Sequence, residues 1–168
     1  MMDLEFVVSD AREGKKEELR LWLRLLSTTK LISQEIRRRL RREFGATLPQ
    51  FDLMAQLYRE EDGLRLGELS SRTMVTNGNI TGLVERLEAD GMVLRTRPED
   101  DRRVTVARLT AKGRAIFEVM AVAHENWLRE MMADVDPIIV SGLLVHMGKV
   151  KESARRHLSE DEAASARN

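Results

Sequence analysis

Residues 64–110 read LRLGELSSRTMVTNGNITGLVERLEADGMVLRTRPEDDRRVTVARLT, and the hydrophobic period changes along this stretch from helical to strand-like. Leu66 to Arg72 reads as a short helix, Met74-Val75 as a turn, and Thr76 then offers a hydroxyl to the first free N–H groups of a second helix. Ile80, Leu83, Val84 and Leu87 recur at the offsets of one helical face. Asn77, Asn79, Thr81, Gly82, Glu85 and Arg86 are left off that stripe, and Asp90-Gly91 closes the helix. Asn-Gly is by itself a hairpin signal. Here the residues after it keep helical spacing and no strand pattern precedes it, so the reading is a helix-turn-helix. Beyond Gly91 the period drops toward two. Val93 to Arg97 and Arg103 to Leu109 read as strands joined by the charged tip Pro98 to Arg102, forming a wing.

The string LGELSSRTMVTNGNITGLVERLEADGMVLR, then Asp101-Arg102-Arg103, then Leu109-Thr110 with Gly113, resembles the multiple-antibiotic-resistance regulator (MarR) family of winged-helix transcription factors. The flanking helices fit that layout over roughly residues 19–158. The resemblance implies a homodimer that binds operator DNA and is released by a small, often aromatic, ligand. It further implies that Arg103 enters the minor groove while Asp101 braces it, and a groove narrowed by A·T-rich sequence attracts such a charge.

Working outward, residues 1–17 carry mixed charge and read as a loose arm. From Glu18 to about Phe44, Leu19, Trp22, Leu23, Leu26, Ile32, Ile36 and Leu40 recur at helical spacing, and Arg37, Arg38, Arg39, Arg41 and Arg42 crowd the end of that helix. Cations are favoured at a helix C-terminus, so this cluster is either a solvated helix end or an anion site. Gly45 stops the helix. Thr47-Leu48-Pro49-Gln50 starts the next with a capping box, and Phe51, Met54, Ala55 and Tyr58 form its apolar stripe. After the wing, Thr110 caps a helix with Ile116, Val119, Met120, Ala123, Trp127, Leu128 and Met131 along one side. Asp136-Pro137 opens a last helix whose Ile139, Val140, Leu143, Leu144, Met147 and Val150 are too many for a lone exposed helix.

The expected architecture is mainly α with a small β-wing. A winged helix-turn-helix module (50–110) is inserted in a helical dimerisation region (18–49 and 111–158), with a polar tail at 159–168. The 168 residues suffice for one substantial core, and a third of them are charged. Cysteine is absent, which removes disulfides, thiolate nucleophiles and thiol redox sensing. No apolar run is long enough to span a bilayer and the N-terminus lacks the pattern of a signal peptide, so no membrane partner and a cytoplasmic location are expected. Acidic and basic residues balance at 28 each, which argues against a protein that coats DNA by bulk charge but not against a reader whose charge is sorted in space. Every basic residue between Leu31 and Ala111 is Arg, a bias that suits bidentate phosphate and guanine contacts and equally a GC-rich genome.

For double-stranded operator DNA, Asn77, Asn79 and Thr81 are the base-reading candidates, and Gly78 and Gly82 permit close backbone approach. Arg86, Arg95, Arg97 and Arg102 are candidate phosphate partners, with Ser70, Ser71, Arg72 and the capping Thr76 able to reach the backbone. The effector cavity that the resemblance implies maps onto Ser33, Ile36, Arg37, Phe51, Met54, Met120 and His124. Together these describe an apolar pocket with a cationic rim, suited to a small aromatic acid or its aryl-CoA thioester. The first two helices also resemble a subgroup controlling hydroxycinnamate catabolism. His124, His146 and His157 stand apart from one another and read as structural or exposed, and neither a phosphate-binding Gly loop nor a nucleophile elbow is present. An enzyme, a metal and a cofactor are therefore not expected. The remaining alternative is a helical protein–protein interaction module without sequence-specific DNA binding.

Overall fold

The structure, a computed structural model, describes residues 16–73, 77–97 and 104–165, with only the backbone described at 77, 78 and 160–165. In chain order the elements are α1 (Glu17–Phe44), α2 (Leu48–Tyr58), β1 (Leu64–Arg65), α3 (Leu66–Arg72), α4 (Asn77–Ala89), β2 (Val93–Thr96), β3 (Val106–Leu109), α5 (Ala111–Met131) and α6 (Pro137–Ser165). The mainly helical chain with a small β-wing is as the sequence predicts. The chain divides into two compact units, one up to Trp127 and one from Leu128.

Local chemistry sets the boundaries in the first unit. α1 ends where Gly45 takes φ 63, a conformation that costs a residue without Cβ little, and its N–H returns to the Arg41 carbonyl. α2 begins with the expected capping box. Gln50 N–H donates to Thr47 Oγ1 at 3.4 Å, and Thr47 N–H donates to Gln50 Oε1 at 2.9 Å. The first half of α1 differs from its predicted stripe, because only Ile36 and Leu40 are buried while Leu19, Trp22 and Leu26 face solvent. α2 differs the other way: besides Phe51 and Met54 it buries Leu53 and Leu57, while Ala55 and Tyr58 are only half-buried. A helix packed between neighbours on two sides shows no single stripe.

One strand lies outside the sequence reading. Leu64–Arg65 pairs antiparallel with β3, giving a three-stranded sheet in the order β1-β3-β2 with Leu64 opposite Ala107 and Val93 opposite Leu109. A strand does therefore precede Asn77-Gly78, although its partner is β3 across the chain and not a hairpin neighbour. Gly63 makes the pairing possible: at φ 86, a Cβ there would lie 2.4 Å from the Ala107 carbonyl oxygen. A two-residue strand is too short to show alternation. The wing strands are also shorter than predicted, ending at Thr96 and starting at Val106.

The core joins Leu40 of α1, Leu53, Met54 and Leu57 of α2, Leu69 of α3, Ile80, Val84 and Leu87 of α4, Val93 and Ala107 of the sheet, and Met120 of α5. Fully burying one such side chain is worth about 1.5–3 kcal/mol. α5 turns Phe117 inward, against Phe51 at 5.4 Å and Tyr58 at 4.9 Å between ring centroids, while the predicted stripe member Val119 is exposed.

In the second unit α6 is capped as predicted, with Ile138 N–H donating to Asp136 Oδ1 at 2.8 Å and Pro137 at the first helical position. Its helix continues through the predicted polar tail as far as Ser165. Ile138 is 80% exposed and Leu144 71%, and Ile139, Leu143, Val145 and Val150 are exposed with them. No helix among the described residues is long and apolar enough to cross a membrane.

Candidate nucleic-acid interface

α4 is held by its apolar stripe. Ile80, Val84 and Leu87 are buried and Leu83 half-buried, which leaves Asn79, Thr81, Gly82, Glu85 and Arg86 exposed. Offsets of three, four and seven residues group the outer face: Thr81, Glu85 and Glu88 follow one flank, Asn79 and Arg86 the other, and Gly82 stands one turn above Gly78 between them. A Cβ built on Gly82 would meet nothing within 4 Å, so the outer surface of α4 is open there.

The end of α4 is joined to the wing by short contacts. Gly91 takes φ 70, Lys112 Nζ donates to the Asp90 carbonyl at 2.8 Å, and Thr110 Oγ1 donates to the Gly91 carbonyl at 2.8 Å while accepting from Gly113 N–H at 3.0 Å. Gly113 lies so close to β2 that an added Cβ would sit 2.0 Å from the Met92 carbonyl oxygen. The start of α5, the end of α4 and the root of the wing are thereby fixed together.

The predicted DNA contacts whose side chains are described fall into three groups. Asn79, Thr81, Arg86 and Arg97 are exposed, on or beside α4 and at the wing strand's end. Ser70, Ser71 and Arg72 lie at the end of α3, where Ser71 Oγ donates to the Glu68 carbonyl and Arg72 Nη1 donates to Glu60 Oε1 at 2.6 Å. Arg95 turns toward α4, its Nε donating to Glu88 Oε2 at 2.7 Å and its Nη1 lying 3.3 Å from Glu85 Oε1. This pairing raises the Arg95 pKa and holds the Glu88 carboxyl below its ordinary range. Thr76, Asp101, Arg102 and Arg103 lie outside the described residues, as does the side chain of Asn77. Sequence reasoning did not assign Glu85 and Glu88 a role. Their three-residue spacing on α4 was visible, but the strand register that brings Arg95 to them was not.

The predicted effector residues meet around α1, α2 and α5. Ile36, Phe51, Met54 and Met120 are buried, Ser33 and His124 are half-buried, and Arg37 is exposed. The His124 ring lies 4.9 Å from that of Phe51, and burial lowers its pKa, an effect the Asp52 charge partly offsets. Asp52, which sequence reasoning passed over, is largely exposed as a residue, yet desolvation of its carboxyl raises its pKa against the pull of His124 and Arg37. Members of the set line two separate spaces. Met54 and Met120 line a space of about 70 Å³ together with Phe44, Gln50, Leu87 and Ile116. Arg37 lines a wider open space of about 490 Å³ with Gln34, Arg38, Arg41 and Arg42. Of those arginines, Arg38 pairs with Glu35 and Arg42 with Glu43, and Arg38 and Arg39 together hold the Glu35 carboxyl down to about 2.

Comparison with known proteins places this arrangement. The model of the MarR family matches residues 46–105. The transcriptional activatory protein BadR of Rhodopseudomonas palustris is 30% identical over 161 residues, covering 93% of this chain and 91% of that protein. A crystal structure of a MarR family transcriptional regulator from Silicibacter pomeroyi is 35% identical with a TM-score of 0.73, covering 84% of this chain and 99% of the other. Sco3205, a MarR family transcriptional regulator from Streptomyces coelicolor crystallised in complex with DNA, is 26% identical with a TM-score of 0.72, covering 86% and 91%.

Proposed function

We propose that this chain, which belongs to the MarR family of DNA-binding transcriptional regulators, is a repressor that binds a near-palindromic operator as a homodimer and is released by a small aromatic acid or its aryl-CoA thioester. The observation that carries the reading is α4: Ile80, Val84 and Leu87 are committed to the core, while its outer face offers short polar side chains around an open glycine beside a β-wing. A helix presented in this way fits the major groove of B-form DNA. In this reading Asn77, Asn79 and Thr81 meet base edges. Arg86, Arg97, Arg102, Ser70, Ser71 and Thr76 meet phosphates and sugars with Arg72 alongside, and Arg103, braced by Asp101, enters the minor groove.

A second copy covers the apolar side chains left exposed on α6 and on the first half of α1. Two α4 helices then address half-sites about one helical turn apart. The effector acts through the cluster of Ser33, Ile36, Arg37, Phe51, Met54, Met120 and His124, and the neighbouring arginines supply cations for a carboxylate or for thioester phosphates. It weakens DNA binding only by as much as it prefers the misaligned dimer. Repression requires nothing beyond occupancy of the promoter. The relative's name assigns activation to that protein, so a reporter fused to the bound promoter decides the direction here.

The test is titration of the purified protein on duplexes from the DNA flanking its own gene. Steep weakening with salt, loss of affinity in Arg103→Ala and loss of sequence preference in Asn79→Ala are expected. Salt-insensitive behaviour with neither loss would favour the protein–protein interaction module. Calorimetry with free aromatic acids and with CoA thioesters tests the effector, and indifference to both rejects it.

A further inference from the structure

The register of the wing sheet turns Arg95 inward. It stands opposite Ala107, which is fully buried, whereas its neighbours Leu94 and Thr96 are exposed. On that inner side it meets Glu88 through three contacts: its backbone N–H donates to Oε1 at 3.3 Å, Nε donates to Oε2 at 2.7 Å, and Nη2 lies 2.5 Å from Oε2. Glu85, one turn earlier, takes Nη1. A carboxylate that holds both the main chain and the side chain of one residue fixes the strand itself, and not merely the tip of a flexible arginine.

We propose that Arg95, Glu88 and Glu85 form a brace that sets the angle between the recognition helix and the wing, which makes Arg95 a positioning residue for DNA binding and not a phosphate contact. The inference rests on the DNA-reading function proposed above. The covalent route from α4 to β2 is short and passes through Gly91 at φ 70. Lys112 and Thr110 tie the root of the wing there, whereas the brace acts farther along β2, at Arg95, and sets the direction in which the strand leaves that root. Helix and wing can occupy neighbouring grooves together only if that direction is held. The brace has a second effect. Glu85 and Glu88 sit on a helix that meets a polyanion, and the Arg95 guanidinium offsets their charge where it would otherwise repel phosphate.

The two roles for Arg95 predict opposite signs for one substitution. Operator affinity is measured across a salt series for the full-length protein and for Glu88→Gln, Arg95→Ala, Arg95→Lys and the Glu88→Gln/Arg95→Ala double variant, with thermal melts confirming folding. With a brace, Glu88→Gln and Arg95→Ala each weaken binding about fivefold, the size expected of a partly exposed ion-pair network. The double variant is then no worse than either single one, the salt slope stays at the wild-type value, and Arg95→Lys, lacking the fork that spans two carboxylates, recovers little. Hydroxyl-radical protection of the flanking minor groove fades before that of the central half-site. The proposal is overturned if Glu88→Gln binds as tightly as wild type or more tightly, or if Arg95→Ala lowers the salt slope by about 0.9, the loss of one phosphate contact. Failure of the wild-type protein itself to bind any duplex would overturn the DNA-reading function as well, so the two failures are told apart by the wild-type titration.

Discussion

Replacing Gly82 by Ala should raise the stability of this protein and lower its affinity for DNA. Gly82 lies inside α4 with helical neighbours on both sides, its φ is negative, and an added Cβ meets nothing within 4 Å. Alanine therefore brings its full helical advantage, about 0.5–1 kcal/mol, with no steric cost. For a chain of this size that gain raises the melting temperature by roughly 1–4 °C. If the outer face of α4 lies against the groove floor, the same methyl group intrudes into the complex. Overpacking of a close contact costs about 1–3 kcal/mol, which is about a fivefold to 150-fold loss of operator affinity. Differential scanning calorimetry and fluorescence anisotropy on one preparation read the two effects. Gly67→Ala, on α3, where an added Cβ is also unobstructed, serves as the control that should leave affinity unchanged. A Gly82→Ala protein that is more stable and binds operator within twofold of wild type would refute the close approach of this face to DNA.

Three further outcomes follow from the packing. Gly113→Ala forces a Cβ to within 2.0 Å of the Met92 carbonyl oxygen, a backbone atom that cannot rotate away, and should lower the urea-unfolding free energy by about 1–3 kcal/mol; an unchanged midpoint would contradict that contact. Burial lowers the His124 pKa, so the unfolded chain takes up this proton more readily than the folded one. The stability His124 secures is present above its ordinary value of 6.5 and is lost as pH falls through its lowered folded value. His124→Phe, which keeps a ring against Phe51, should flatten that part of the acid limb, and an identical limb would show that His124 does not contribute to it. The raised Asp52 pKa acts with the opposite sign, its cost at neutral pH fading as acid protonates the folded carboxyl. Leu144→Glu, at an exposed apolar position of α6, should shift a homodimer toward monomer in sedimentation equilibrium, with a self-association constant lowered by about tenfold or more; an unshifted equilibrium would remove α6 from the interface.

The ends of the helices were legible because each is written in a few adjacent residues. Gly45, the Thr47–Gln50 box, Gly91, Thr110 and Asp136-Pro137 all act within one turn of where they stand, so their chemistry can be read without knowing what lies across the fold. The stripe of α4 was legible for a related reason. That helix has a single buried side, and a single side leaves a clean period of 3.6. α2 and α5 bury residues toward more than one neighbour, which is why Leu53, Leu57 and Phe117 were missed and Val119 was misplaced.

Residues close along the chain suffice for the order of the helices and the two wing strands, the caps that bound the helices, the outer face of α4 and the family to which the chain belongs. Tertiary structure alone decided which side chains meet across that order. Leu64–Arg65 becomes a strand only because β3 arrives beside it. Arg95 is committed to Glu88 and Glu85 only because the register turns it inward, and Asp52 feels His124 only because α2 and α5 pack together. Local propensity and capping are properties of neighbours along the chain, whereas pairing, register and charge compensation depend on separations that exist only after the chain has closed on itself.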